Sequence, residues 1–154
     1  SMKRNVFHAI ASIFLAAMVF VGCTKNDNTS SSATAQYQGN WSGTYSGSRS
    51  DSSNTKDNGT WTMSVAADGK TSGTITSSVI VGQTFVFVGT VNASGALNTV
   101  ISTSASAAAF ANSFLNGTLV MVNNTGSVSG NFGGIPVTGA ASATWAGTFT
   151  GSKK

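Results

Sequence analysis

A short phrase, Gly-Thr followed by a strand-forming apolar or aromatic residue, recurs along this chain. It stands at Gly43-Thr44-Tyr45, Gly59-Thr60-Trp61, Gly73-Thr74-Ile75, Gly89-Thr90-Val91, Gly117-Thr118-Leu119 and Gly147-Thr148-Phe149. The intervals are about fourteen to sixteen residues, or about double that where a member is missing, and Ser102-Thr103 and Gly130-Asn131-Phe132 fill the gaps. A spacing this short has room for one strand and its turn, so the chain reads as about eight such units.

Alternation with a period of two supports strands. In WTMSV, Trp61, Met63 and Val65 face one way and Thr62 and Ser64 the other; near the end, Ala143, Trp145, Gly147 and Phe149 share a face. Further inward candidates are Trp41, Tyr45, Ile75, Val79, Phe85, Phe87, Val91, Leu97, Ile101, Leu115, Leu119, Met121, Val128 and Phe132. The opposite face is mostly Thr and Ser, with apolar exceptions at Val86, Val88, Val120 and Val122.

The same parity turns the repeated glycines inward. A glycine weakens a flat strand but lets a sheet bend and admits close approach on its concave side. Repeated at equivalent points, this implies continuous curvature, and the expectation is an all-β fold: a single antiparallel up-and-down barrel of about eight strands. WSGTYSG at residues 41–47 and WAGTFTG at residues 145–151 are then the first and last strands, built alike because they pair at the closing seam.

Meander topology sorts the connections into two ends. Ala67-Asp68-Gly69-Lys70, Asn92-Ala93-Ser94-Gly95 and Asn123-Asn124-Thr125-Gly126 are tight turn signals and fall at the end where both termini emerge. The other, distal end receives a long loop over residues 46–58, a short turn at Gly82, the stretch 105–112, and residues 133–139 with Pro136. Within residues 104–114, Phe110 and Phe114 stand at helical spacing, and a loop or a single helical turn is expected there.

The beginning of the chain reads as processing signal. Ser1 reads as an addition ahead of Met2; Met2-Lys3-Arg4 is followed by an apolar run from Val6 to Val21, shorter than the roughly twenty residues a membrane-spanning helix needs. The run ends in Phe20-Val21-Gly22-Cys23, which resembles the lipobox of bacterial lipoproteins, with Phe20 where Leu is usual. The resemblance implies that residues 1–22 leave and that Cys23, the chain's single cysteine, carries lipid. A simple cleaved signal with an incidental cysteine is the competing reading. Residues 23–36 then form a polar flexible tether and residues 37–152 the barrel domain. The implied address is the bacterial cell envelope, lipid-anchored, at the outer membrane.

Composition narrows the chemistry. His8 lies in the signal, there is no Glu, and the acids are Asp27, Asp51, Asp57 and Asp68. Without an imidazole or free thiol, Ser-His-Asp, Cys-His and His/Cys zinc chemistry are excluded from the mature domain. A carboxylate pair could come only from Asp51 and Asp57, both on one polar loop, and their spacing with Asn54 and Asn58 does not match a calcium loop. No catalytic residue, metal or cofactor is expected. With Lys3 and Arg4 removed, six Lys and Arg face four Asp, and no basic stripe suggests nucleic acid.

At Tyr37-Gln38-Gly39-Asn40-Trp41 the chain resembles lipocalins, in which a G-x-W motif puts a Trp at the closed end of an eight-stranded barrel and a long first loop lids the open end. The resemblance implies that Gly39 and Trp41 are that motif and that residues 46–58 are the lid. Where lipocalins place an Arg over the Trp, this chain has Lys153 and Lys154. Residues 61–77 also look like the second and third strands of avidin-type barrels.

Two functions follow from the barrel reading. In the first, a lipid-anchored envelope protein takes a small apolar or amphipathic ligand into the distal barrel mouth, with Trp61, Met63, Phe85, Phe87 and Met121 lining any cavity; an interior with no void large enough for a ligand removes this reading. In the second, the core is filled and the distal loops contact an envelope protein as an inhibitor or assembly module, through Arg49, Asp51, Lys56, Asp57, Ile135 and Pro136.

Overall fold

The computed structural model describes residues 32–79, 82–140 and 142–154. The signal segment, Cys23 and the tether up to residue 31 lie outside the described residues. A 3-10 turn at Ala35–Tyr37 leads into eight strands: β1 Gly39–Arg49, β2 Lys56–Val65, β3 Lys70–Ser77, β4 Thr84–Val91, β5 Ala96–Ser102, β6 Phe114–Val122, β7 Thr125–Pro136 and β8 Thr144–Lys153. Each pairs antiparallel with its sequence neighbour, and β1 pairs with β8 to close the barrel. The segment 103–113 between β5 and β6 holds turns and no regular element.

The seam explains the repeated phrase. Because the strands run in opposite directions, Gly43 lies opposite Gly151, Tyr45 opposite Phe149 and Gly47 opposite Gly147. Glycine meets glycine and aromatic meets aromatic. A Cβ built on Gly43 would collide with the Thr150 carbonyl and the Gly151 Cα, and one on Gly147 with the Ser46 carbonyl. The backbones approach so closely here that no side chain fits between them, and this lets the sheet curl tightly enough to close.

The inward glycines also make room for rings. Tyr45 lies over Gly59, Phe87 over Gly73, Phe132 over Gly47, Trp61 over Gly151, and Phe149 over Gly117 and Gly130. Tyr45 packs edge-on against Phe132 with centroids 5.4 Å apart, and Trp61 against Phe149 at 5.6 Å. An eight-stranded barrel is just wide enough for side chains to fill, and large rings set over absent side chains fill this one. The outer surface carries most of the strands' Thr and Ser, interrupted by exposed Val88, Val100, Val120 and Val122.

The end bearing the termini is closed. The Trp41 indole N–H donates to the Tyr37 carbonyl at 2.9 Å, and the Thr34 hydroxyl donates to the Ala67 carbonyl in the β2–β3 turn at 2.6 Å. Lys153 Nζ donates to the Gln36 carbonyl at 3.1 Å. Thr34 and Gln36, within the segment read as tether, thus bond to the barrel, because this short turn lies across the barrel bottom.

Several expectations need correction. The long loop over residues 46–58 shrinks to residues 50–55, because Ser46, Gly47 and Ser48 are paired on both sides, with β2 and with β8. Val79 is 51% exposed, since β3 ends at Ser77 and the chain turns before reaching it. The last long connection starts later than expected: β7 continues to Pro136 through a bulge between Phe132 and Ile135, with Gly134 at φ 73°. Phe114, half-exposed on β6, covers Gly133 on the adjacent strand, an aromatic shielding a bare stretch of backbone.

Candidate distal binding cleft

Of the four connections at the distal end, three border one cleft: residues 50–55, 78–83 and 137–143. The first and third are pinned. Arg49 N–H donates to the Thr55 carbonyl at 2.9 Å and Ser50 N–H to the Thr144 carbonyl at 2.9 Å, fastening the first loop to the start of β8. Asn54, at φ 47°, lets this loop reverse within a few residues. Val137 N–H donates to the Ala143 carbonyl at 3.0 Å, closing the third loop on itself.

Between them opens a cleft of about 440 Å³. Arg49 and Thr55 form one side, Val79 and Gln83 a second, and Pro136, Val137 and Thr138 a third, with Trp145 beneath. The lining is mainly apolar, and its size falls within the range of small-molecule sites. Arg49 and Trp145 are directly opposite each other across the seam, both on the inward face of their strands. The one charged side chain of the wall therefore leans over the mouth and not out into solvent.

Arg49 is engaged on one side. Its Nη2 pairs with Asp51 Oδ2, and the other carboxylate oxygen accepts from the Ser53 hydroxyl and backbone N–H. These bonds, the Ser53 hydroxyl first and Arg49 second, hold the Asp51 carboxyl below its ordinary range. Arg49 Nε is buried and has no hydrogen-bond partner.

Below the cleft a polar cluster sits in the barrel mouth. Asp57 accepts from the Tyr45 hydroxyl and from the Ser77 hydroxyl, each at 2.8 Å. The void that Tyr45 and Asp57 share with Ile75, Phe85, Phe132, Ile135 and Trp145 measures about 10 Å³, room for roughly one water. Burial first, and the adjacent Asp57 second, push the Tyr45 phenol well above its ordinary 10.0. The folded state thus keeps a proton that the unfolded chain releases, so this contribution to stability is complete below about pH 10 and is lost as pH rises further. Tyrosinate absorbance assigned to residue 45, by difference from Tyr45→Phe, is expected to emerge only as the barrel melts. A transition near the ordinary value with native circular dichroism would contradict the cluster.

The residues singled out from sequence divide accordingly. Arg49 and Pro136 line the cleft and Asp51 holds Arg49, whereas Asp57 and Ile135 are buried and unavailable as surface contacts. Asp57 belongs to β2, not to a loop shared with Asp51, because its parity turns it inward. Lys56 faces outward and donates to Asn54. Trp61, Met63, Phe85 and Phe87 are core, Phe85 alone among them bordering the mouth void, and Met121 packs on the core's edge near Gly126. Missed from sequence were Trp145, Val79, Gln83 and Thr138 as cleft residues. The cross-strand register of Arg49 and Trp145 follows from the seam phrase and could have indicated the first of them.

Among the described residues no three His, Cys, Asp or Glu side chains come together to hold a metal. Nor is any described helix long and apolar enough to cross a membrane. No protein-family model, curated protein or solved structure matches this chain.

Proposed function

We propose that this protein is a non-catalytic, lipid-anchored binding protein of the bacterial cell envelope that holds a small apolar or amphipathic ligand in the distal cleft. The filled interior removes the expectation that a ligand enters the barrel; in this reading it sits over the mouth instead. The observation that carries this reading is the contrast in volume: about 440 Å³ between the distal loops against about 10 Å³ in the mouth beneath. A tether from Cys23 would enter at the closed end, so the cleft points away from the anchoring membrane. Catalysis has no support in the mature sequence, which lacks His and Glu, and the one buried carboxylate of the cluster is engaged by two hydroxyls.

The filled barrel also favours a second reading, in which the same surface docks a loop of an envelope protein. Nuclear magnetic resonance separates the two. The chain has three indole N–H groups; Trp41 and Trp61 are buried in the barrel and Trp145 lies at the cleft. Titration with short amphipathic probes is expected to move the Trp145 indole resonance saturably and leave the other two in place. Movement at Trp61 would put the ligand inside the barrel, and no movement from any probe would leave the protein-docking reading.

A further inference from the structure

The guanidinium at the rim of the cleft is half used. The edge of an arginine formed by Nε–H and Nη2–H matches the two oxygens of a planar carboxylate. At Arg49 only Nη2 is engaged, by one oxygen of Asp51, while Nε–H is buried with no acceptor. Asp51 cannot complete the fork, because its second oxygen is held by Ser53. A buried donor without an acceptor is costly, and a group able to satisfy it gains affinity that a neutral or single-pronged group does not.

From this unfilled fork, we infer that the ligand of the cleft is a small monocarboxylic acid with an apolar body, whose carboxylate displaces Asp51 and bonds Arg49 through both Nε and Nη2. The inference deepens the small-ligand reading above and rests on it. The apolar part of such a ligand covers Trp145, Val137 and Pro136, which stand beside Arg49 in the same cleft. The incoming carboxylate takes the side of the guanidinium where Asp51 now holds Nη2, the edge that also carries Nε–H. Asp51 is thereby a resident substitute for the ligand. It sits on an exposed loop with its Ser53 bonds intact, so it can leave Arg49 without unravelling the turn.

The test compares octanoate with octanamide and octanol on the protein, followed through the Trp145 indole and the Arg49 Nε–H resonances. Arg49 is the only arginine beyond Arg4, which makes the second signal unambiguous. Octanoate is expected to bind at least about tenfold more tightly than octanamide, and to shift the Nε–H resonance as that proton gains an acceptor. Arg49→Lys keeps the charge but loses the fork, and is expected to weaken octanoate at least about tenfold and octanol much less. Asp51→Asn removes the competing carboxylate and is expected to tighten octanoate about threefold or more. Circular dichroism melts of both variants check that the barrel is intact.

Equal affinity for octanoate and octanamide, or undiminished octanoate binding in Arg49→Lys, overturns the carboxylate inference and leaves the cleft reading standing. If none of the three probes moves the Trp145 resonance, both fall. A peptide ending in a free carboxylate that displaces octanoate at a lower concentration overturns the assignment to a small acid.

Discussion

Gly43→Ala is expected to destabilise the barrel by about 3 kcal/mol or more, and Gly43→Val to prevent it from closing. The added methyl would meet the Thr150 carbonyl and the Gly151 Cα, both backbone atoms of the opposite strand. A flexible side chain could rotate away from such a contact; a paired strand cannot move without giving up the ladder that defines the seam. The appropriate control is Gly82→Ala, where φ is 81° and an added Cβ meets nothing within 4 Å. That change carries backbone strain alone, roughly 1–2 kcal/mol. Urea unfolding followed by far-ultraviolet circular dichroism should separate the two substitutions clearly. Similar midpoints for Gly43→Ala and Gly82→Ala would mean that close approach at the seam is not what closes the barrel.

Trp61→Ala is expected to cost about 3–5 kcal/mol, a large part of a typical domain's net stability. Three kinds of interaction are lost together. The ring fills the space over Gly151 and packs edge-on against Phe149 at 5.6 Å. Its N–H, shared between the Thr44 and Thr150 carbonyls at 3.2 Å each, connects β2 to both strands of the seam. Trp61→Phe keeps part of the volume but none of the hydrogen bonding, and should fall between wild type and Trp61→Ala. A fall in melting temperature on the order of 15 °C is expected for the alanine variant. A drop of only a few degrees would show that the barrel tolerates a hollow there, and would reopen interior binding.

The architecture was legible because its signals are local. Alternation in WTMSV assigns Trp61, Met63 and Val65 to one face whatever strand lies alongside. The Gly-Thr phrase puts each glycine on that same face, and curvature follows from its repetition. Even the seam could be read, since WSGTYSG and WAGTFTG match each other when laid in opposite directions. The segregation of tight turns and longer connections to opposite ends follows from counting strands.

The site was less legible, because it depends on where strands stop and on what lies across from them. Ser46, Gly47 and Ser48 have the composition of a loop, yet two flanking strands supply them with partners and extend β1 as far as Arg49. That extension brings Arg49 inward, opposite Trp145, and leaves Val79 past the end of β3 on the cleft wall. Asp57 looked like a loop acid, and the same extension of the hairpin makes it an inward residue of β2 with two hydroxyl partners.

By itself the sequence determined the strand plan, the inward glycines and the closing seam, since residue type and parity along the chain suffice for all of these. Only the tertiary structure decided that the barrel is filled and that three of its distal connections border a cleft above the mouth. The reason is physical: whether a ring meets a glycine or another ring is a matter of register between strands distant in sequence. Volume complementarity and the ends of a ladder are properties of pairs, and a pair exists only once the chain has folded.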